Sequence, residues 1–284
     1  MKRNLRILAA AVALLLSAAC SFGSVAATVP DSQSEQIAVV AGTDAVAVGT
    51  DAGAESTPLA DPVDETKVST DDFSVSGESG EILPDGSVYT ITEAGEYTLS
   101  GALNDGQIVV NVGEDDEVKL ILDGASIACS FGAPIRVASA GDVTVKAEKD
   151  TYNTVTDLRT GSAENVEDDA AIFSSSDLKL AGTGTLIVET AFDNGVKSKD
   201  DLSVKNLTLK VSASGNALKG NDSVEIKSGN LILISTASDG VKTENSDVSS
   251  KDKQRDTVSI TGGQVDIYAA CDGISAAYNV EISE

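Results

Sequence analysis

Asn194-Gly195-Val196-Lys197 returns as Asn216-Ala217-Leu218-Lys219, as Asp239-Gly240-Val241-Lys242 and as Asp272-Gly273-Ile274-Ser275. The intervals are 22, 23 and 33 residues, counted from Asn194 to Asn216, Asp239 and Asp272. Ala170-Ala171-Ile172-Phe173, preceded by Asp169, is a more distant copy. A unit this short cannot bury a core by itself, so it stacks on its neighbours and the chain becomes a solenoid.

One interval reads in detail. Val196 and Ser198 alternate with Lys197, then Leu202 and Val204 with Ser203, then Leu207, Leu209, Val211 and Ala213 with Thr208, Lys210 and Ser212. Lys199-Asp200-Asp201 and Asn206 mark the turns between them. Period-two alternation broken twice gives three strands per coil. The next interval repeats this with Val224, Ile226, Leu231, Leu233 and Ser235. Upstream, from about Asp72, strands of four to six residues alternate with Gly, Asn and Asp turns, and no long helical stripe appears. The expected fold is all-β, a right-handed parallel β-helix with about 22–24 residues per regular coil, preceded by a disordered leader. A left-handed hexapeptide helix would keep six-residue steps, and this chain does not. Insertions at about 156–168 and 244–256 become loops on one face, either a binding face or tolerated drift. No polar cap follows Val280-Glu281-Ile282, and an uncapped solenoid leaves an open sheet edge, so the expectation is either a domain that continues in a longer protein or a partner that covers this end.

The N-terminus reads differently. A basic Met1–Arg6 precedes an apolar run from Ile7 to Leu16, the pattern of a secretory signal over residues 1–20. Small residues before Cys20 match a lipoprotein signal in which Cys20 is lipidated; the alternative is ordinary cleavage after Ala26. Residues 21–68 are low in periodicity and rich in Ala, Val, Thr, Ser and Asp, as in a flexible stalk. The β-helical domain then spans 69–284, the expected location is the extracellular cell surface, and contact with a membrane is through the lipid anchor alone.

Charge narrows the function. The formal net charge is −25 and there is no His. That excludes nucleic acid as a partner and removes His-dependent triads and imidazole metal sites. Carboxylates without imidazole favour a hard cation such as Ca2+. The ladder itself is nearly neutral, with six acids and seven lysines over residues 193–243.

The order of several stretches resembles a known family. They are Ile91–Gly101 with Asn104–Ile108, Asn153–Asp157, Ala170–Ser174 through Gly182–Leu186, and the ladder. Together they cover residues 72–284 and are similar to bacterial cell-surface proteins termed carbohydrate-binding domain-containing. The resemblance implies a calcium-binding right-handed parallel β-helix that recognises pectic polygalacturonate and cellulose.

Stacked coils bring equivalent residues to about 4.8 Å spacing. Asn194, Asn216, Asp239 and Asp272 then form one column, with Asp193 and Asp169 beside it. These six are the candidate Ca2+ ligands, with Gly195, Gly240 and Gly273 free to turn carbonyls toward an ion. The competing reading is an Asn/Asp ladder that serves turn backbone groups alone. Lys197, Lys219 and Lys242 form an outward column, either glycan-binding or merely solvated. Aromatic residues, the usual stacking platforms for neutral sugars, are scarce: beyond the signal there are Tyr89, Tyr97, Tyr152, Tyr268, Tyr278, Phe22, Phe73, Phe131, Phe173 and Phe192, of which Tyr268 and Tyr278 alone lie near the ladder's end, and this favours an acidic over a neutral plant polysaccharide. Cys129 and Cys271 are expected to be separate rather than bonded to each other. The expected function is non-catalytic, calcium-dependent glycan binding. A polysaccharide lyase using a ladder lysine as base, or a structural adhesin, are the alternatives.

Overall fold

The computed structural model describes residues 37–41 and 46–47 as backbone, and residues 58–248 and 254–283 in full. The signal at 1–20, Cys20, most of the 21–68 stalk and part of the 244–256 insertion lie outside them.

The body is a three-faced parallel β-solenoid. The ladder face comprises Val88–Ile91, Gln107–Asn111, Ile135–Ser139, Ala170–Ser174, Asn194–Ser198, Leu218–Gly220, Val241–Lys242 and Ile274–Ser275. The second face runs from the first half of Gly95–Leu103 and of Glu117–Cys129 through Asp142–Ala147, Asp177–Gly182, Asp201–Lys205, Ser223–Ile226 and Thr257–Ile260 to Asn279–Ile282. The third takes the second halves of those two long strands, then Tyr152–Asp157, Thr185–Thr190, Leu207–Ala213, Gly229–Ser235 and Gln264–Ala269. The second and third faces are continuous only in the first two coils, where a register shift between Leu99 and Gly101 bends the strand.

Alternation sets the core. In the coil from Asn194, the expected inward residues Val196, Ser198, Leu202, Val204, Leu207, Leu209, Val211 and Ala213 are all buried. Val196 pairs with Leu218, Leu218 with Val241, and Val241 with Ile274, so the apolar ladder is one stack. The copy at Ala170 is in register, with Ile172 against Val196 and Phe173 against Lys197.

The ladder glycines have a different role from the one expected. None of Gly195, Gly240 and Gly273 takes a positive φ. A Cβ on Gly195 would meet Val211 Cγ1 at 2.2 Å, and one on Gly240 would meet Ile267 Cγ2 at 2.2 Å. They are small because the third face packs against them. Their carbonyls are also spent, since Gly240 and Gly273 accept from Leu218 N and Val241 N, both at 3.0 Å.

Two features at the N-terminal side are invisible to periodicity. A hairpin, Ser74–Gly77 with Gly80–Ile82, pairs antiparallel with the first coil's second face through Tyr97–Ser100. It covers an edge that would otherwise be open. Residues 58–68, which the sequence places in the stalk, lie along the third face. Leu59 N donates to Asp266 Oδ2 at 2.6 Å, Asp61 pairs with Lys210 at 2.6 Å, and Asp64 N donates to the Tyr152 hydroxyl at 3.0 Å. The backbone of Ile37–Ala41 runs parallel to Gln264–Ala269 on the same face.

Candidate functional site

The Asn/Asp column lies at the corner where the third face turns into the ladder face. Asn194 Nδ2 donates to the Asp169 carbonyl at 3.0 Å. Asn194 Oδ1 accepts from Asn216 N at 3.1 Å and Asn216 Nδ2 at 2.7 Å. Asn216 Oδ1 accepts from Ser238 Oγ at 2.9 Å and Asp239 N at 3.3 Å. Asp239 Oδ1 accepts from Asp272 N at 3.0 Å, and its Oδ2 takes Lys242 Nζ at 3.0 Å. Each rung therefore serves the next turn's backbone. Asn194, Asn216 and Asp239 have their acceptor oxygens committed, and Asp272 is exposed at the end of the column. This favours the backbone-serving reading for Asn194, Asn216 and Asp239 over a set of ion ligands.

The lysine column is in register, Lys197 against Lys219 against Lys242, with Ser275 next. Each ammonium is already paired. Lys197 Nζ meets Asp169 Oδ1 and Oδ2 at 2.7 and 2.9 Å, Lys219 meets Glu244 at 2.9 Å, and Lys242 meets Asp239. The row expected to face a polyanion is thus neutralised within the chain.

Asp193 differs from its neighbours. It sits one coil after Asp169 and half-buried, with Oδ1 closing over Gly215, where a Cβ would come within 2.1 Å of it. Among the described residues, no donor or cation bonds its carboxylate. Burial holds its pKa above the ordinary carboxylate range; Asp169 raises it further, while Lys197, Lys219 and Arg159 pull it down. Of the six candidate ligands, Asp193 and Asp169 are the two carboxylates whose charges meet.

The 158–169 insertion ends in this corner and is fixed by Arg159. Its guanidinium bonds Asp157 through Nε at 3.0 Å and Nη2 at 2.7 Å, and reaches Asp168 Oδ1 at 3.4 Å. Nη2 also donates to the Asp168 and Ala170 carbonyls at 2.9 and 3.1 Å. Its flat face lies 4.3 Å from the Phe192 ring centroid. The result orients Asp168 and Asp169 toward the ladder. The outward side chain of Phe173 is wholly buried with Ala133 and Ala170, and Lys199 Nζ lies 5.7 Å from its ring.

The opposite corner, where the ladder face turns into the second face, carries a group of acids of which the sequence pattern marks only Asp200-Asp201, as a turn. Asp142, Asp177 and Asp201 are in register, and Asp200 and Asp222 stand one place earlier. Burial raises Asp177, and Asp201 and Asp142 add to it against the hydrogen bond from Asp201 N. Burial also raises Asp200, followed by Asp177, Asp222 and Asp201. Asp222 is bound by Asn245 and Arg255, each at 2.6 Å. Asp256 is fully buried; its Oδ1 accepts from Thr243, and its Oδ2 has no partner among the described residues. The signal was present in the sequence as Asp177, Asp200-Asp201 and Asp222 at coil spacing. No group of three or more Asp, Glu, Cys or His side chains among the described residues is arranged to hold a metal ion. Cys129 is a free, buried thiol, so it and Cys271 are not bonded to each other.

A family model described as carbohydrate-binding domain-containing protein matches residues 85–284. A relative from Acetivibrio thermocellus with the same description is 38% identical over 125 residues, which is 42% of this chain and 44% of that one. The chain therefore spans less than half the length of that relative. A solved structure, a gadolinium derivative of a polysaccharide lyase-like protein from C. thermocellum, superposes with a TM-score of 0.59 at 29% identity. The superposition covers 72% of this chain and 90% of that one.

Proposed function

The chain belongs to the carbohydrate-binding domain-containing protein family, and from that premise we propose that it binds an acidic plant polysaccharide at the Asp169/Asp193 corner without cleaving it. The reading rests on one observation above the rest. Asp193 is a half-buried carboxylate, raised in pKa, beside a second carboxylate and without a donor among the described residues. A group in that state gains from a cation.

Ca2+ fits there by the chemistry of its donors. Asp193 supplies hard oxygens, Asp169 supplies others that it shares with Lys197, and the uronates of a pectic chain would supply more. When bound, the ion would bridge protein and glycan carboxylates. At the Asp239/Asp272 end both Asp239 oxygens are engaged, by Asp272 N and Lys242, and Asp272 is exposed, so that end lacks a half-buried carboxylate of the Asp193 kind. Right-handed winding and display at the cell surface through Cys20 belong to the same proposal.

The lysine pairing supports binding over catalysis. An eliminating base must accept a proton, and an ammonium held by both oxygens of Asp169 does not. The lyase reading keeps its place because the solved neighbour is called polysaccharide lyase-like. Affinity electrophoresis in gels containing polygalacturonate or cellulose, run with Ca2+ and with chelator, tests the proposal. Retention on polygalacturonate that needs Ca2+ supports it. No retention by any acidic or neutral plant polysaccharide overturns it, and release of unsaturated uronates assigns the lyase instead.

A further inference from the structure

The corner that bears Asp193 also bears apolar side chains left outside the core. Phe131 is 53% exposed, and Leu158, on the next coil, is 47% exposed. Phe192 lies on the coil after that, beneath Arg159. Cys129 pairs with Asp157 and Asp157 with Thr190. Continuing that register by two places aligns Phe131, Arg159 and Phe192 in one column.

The other rings are mostly spent on packing. Tyr89, Tyr97, Tyr152 and Phe173 are buried, and Phe73 packs edge-on against Tyr89 with centroids 5.2 Å apart. The exposed Tyr268 and Tyr278 belong to the third face and to the turn before the last strand.

Phe131 is not exposed through slack. Ser130 donates its N–H and its hydroxyl to Asp105 at 2.8 and 3.0 Å. Gln107 Nε2 donates to the Ala133 carbonyl at 2.8 Å, and Ala133 N to Asp168 Oδ2 at 3.3 Å. Gly132 allows the turn to close, since a Cβ there would meet Gln107 Nε2 at 2.5 Å. Bonds on both sides thus fix the backbone that presents a half-exposed phenyl ring.

We infer that Phe131 is a stacking platform for the C–H face of a pyranose ring, and that the glycan runs across the coils from Phe131 toward Asp193. This rests on the carbohydrate-binding reading. A phenyl face takes the apolar face of a sugar, while Asp105 and Asp168 at its margin offer acceptors to hydroxyls. Two coils separate Phe131 from Phe192 and the adjoining Asp193, about 9–10 Å along the solenoid axis. That is close to the length of a disaccharide, so one chain can touch both. Neutral and acidic pyranoses share the C–H face, so the platform serves either, and the Asp169/Asp193 pair provides the discrimination.

The chain has no Trp, which makes F131W a single-site reporter. F131A and F131W are compared with the wild-type protein on polygalacturonate and on a soluble β-1,4-glucan, with L83W as a remote exposed control. Expected are about a tenfold weaker affinity in F131A with an unchanged melting temperature, and wild-type affinity in F131W. F131W emission shifts on adding the glycan, and L83W emission does not. The inference is overturned if F131A binds like wild type, or if F131W emission ignores a glycan that the protein binds. If the wild type is retained by neither glycan, the proposed function falls and this inference with it. If only the variants disagree, the platform alone is wrong.

Discussion

Replacing Arg159 by Ala removes the clamp that fixes the insertion against the ladder. The Arg159 side chain is 8% exposed and that of Asp157 is 0% exposed. In the wild type the Asp157 carboxylate receives the guanidinium bidentately and Arg159 N at 3.0 Å. After R159A the backbone bond alone remains, and a wholly buried charge stands without its counter-ion. Breaking a buried pair from one side costs about 3–5 kcal/mol. The carbonyls of Asp168 and Ala170 also lose a donor, but water reaches a loosened loop, so the lower half of that range is the better estimate. For a domain of this size, 3–4 kcal/mol corresponds to a fall in melting temperature of roughly 10 °C. A solenoid can open coil by coil, so the thermal scan is paired with amide hydrogen exchange, which should show 158–169 losing protection first. D157L/R159M removes both charges and should recover most of the loss, because an apolar pair in that space avoids the desolvation cost altogether. A loss below about 1 kcal/mol for R159A, or a double variant worse than R159A, would refute the buried-clamp account.

Two further outcomes follow from the same geometry. In the acidic corner, burial and like charges raise Asp200, so its ionisation opposes folding. The penalty is absent below the unfolded value of about 3.9 and grows as pH rises through the folded one. D200N should therefore raise the melting temperature at pH 7 in chelator by roughly 1–2 °C, with the gain gone near pH 3; an equal gain at both pH values contradicts the cause. G240A places a Cβ 2.2 Å from Ile267 Cγ2 and 2.6 Å from the Gly273 carbonyl, and should cost about 1–3 kcal/mol in urea unfolding. A neutral result would return that glycine to a conformational role.

The coil was legible because two periods agree. Alternation along Leu202–Val204 and Leu207–Ala213 names the inward residues, and the return of Asn194 at Asn216 and Asp239 sets the stacking. Even the distant copy at Ala170 was placed correctly, since an apolar pair at the same phase suffices. What escaped was set by contacts across coils or outside them. Lys197 reads as an outward ammonium, and only the stacked geometry brings Asp169, 28 residues earlier, onto it. Gly195 and Gly240 read as flexible, yet what restricts them is the side chain on another face, which no local pattern shows. Residues 58–68 lack a period because they bind through isolated polar groups to the third face, at Asp266, Lys210 and Tyr152. Asp200-Asp201 reads locally as turn chemistry, and only its recurrence with Asp177 and Asp222 at coil spacing marks the acidic corner. Phe131 reads as one of few aromatics, and its exposure follows from a turn fixed by Asp105, Gln107 and Asp168, which no local pattern shows.

The central claim is that an acidic glycan and a cation meet at Asp193. Calorimetric titration of polygalacturonate into wild type and D193N, each in Ca2+ and in chelator, addresses it directly. The account predicts binding by wild type in Ca2+, and a loss of about tenfold or more on chelation or on D193N, with no further loss when the two are combined. Equal affinity of D193N and wild type in Ca2+, or wild-type affinity unchanged by chelator, would contradict it.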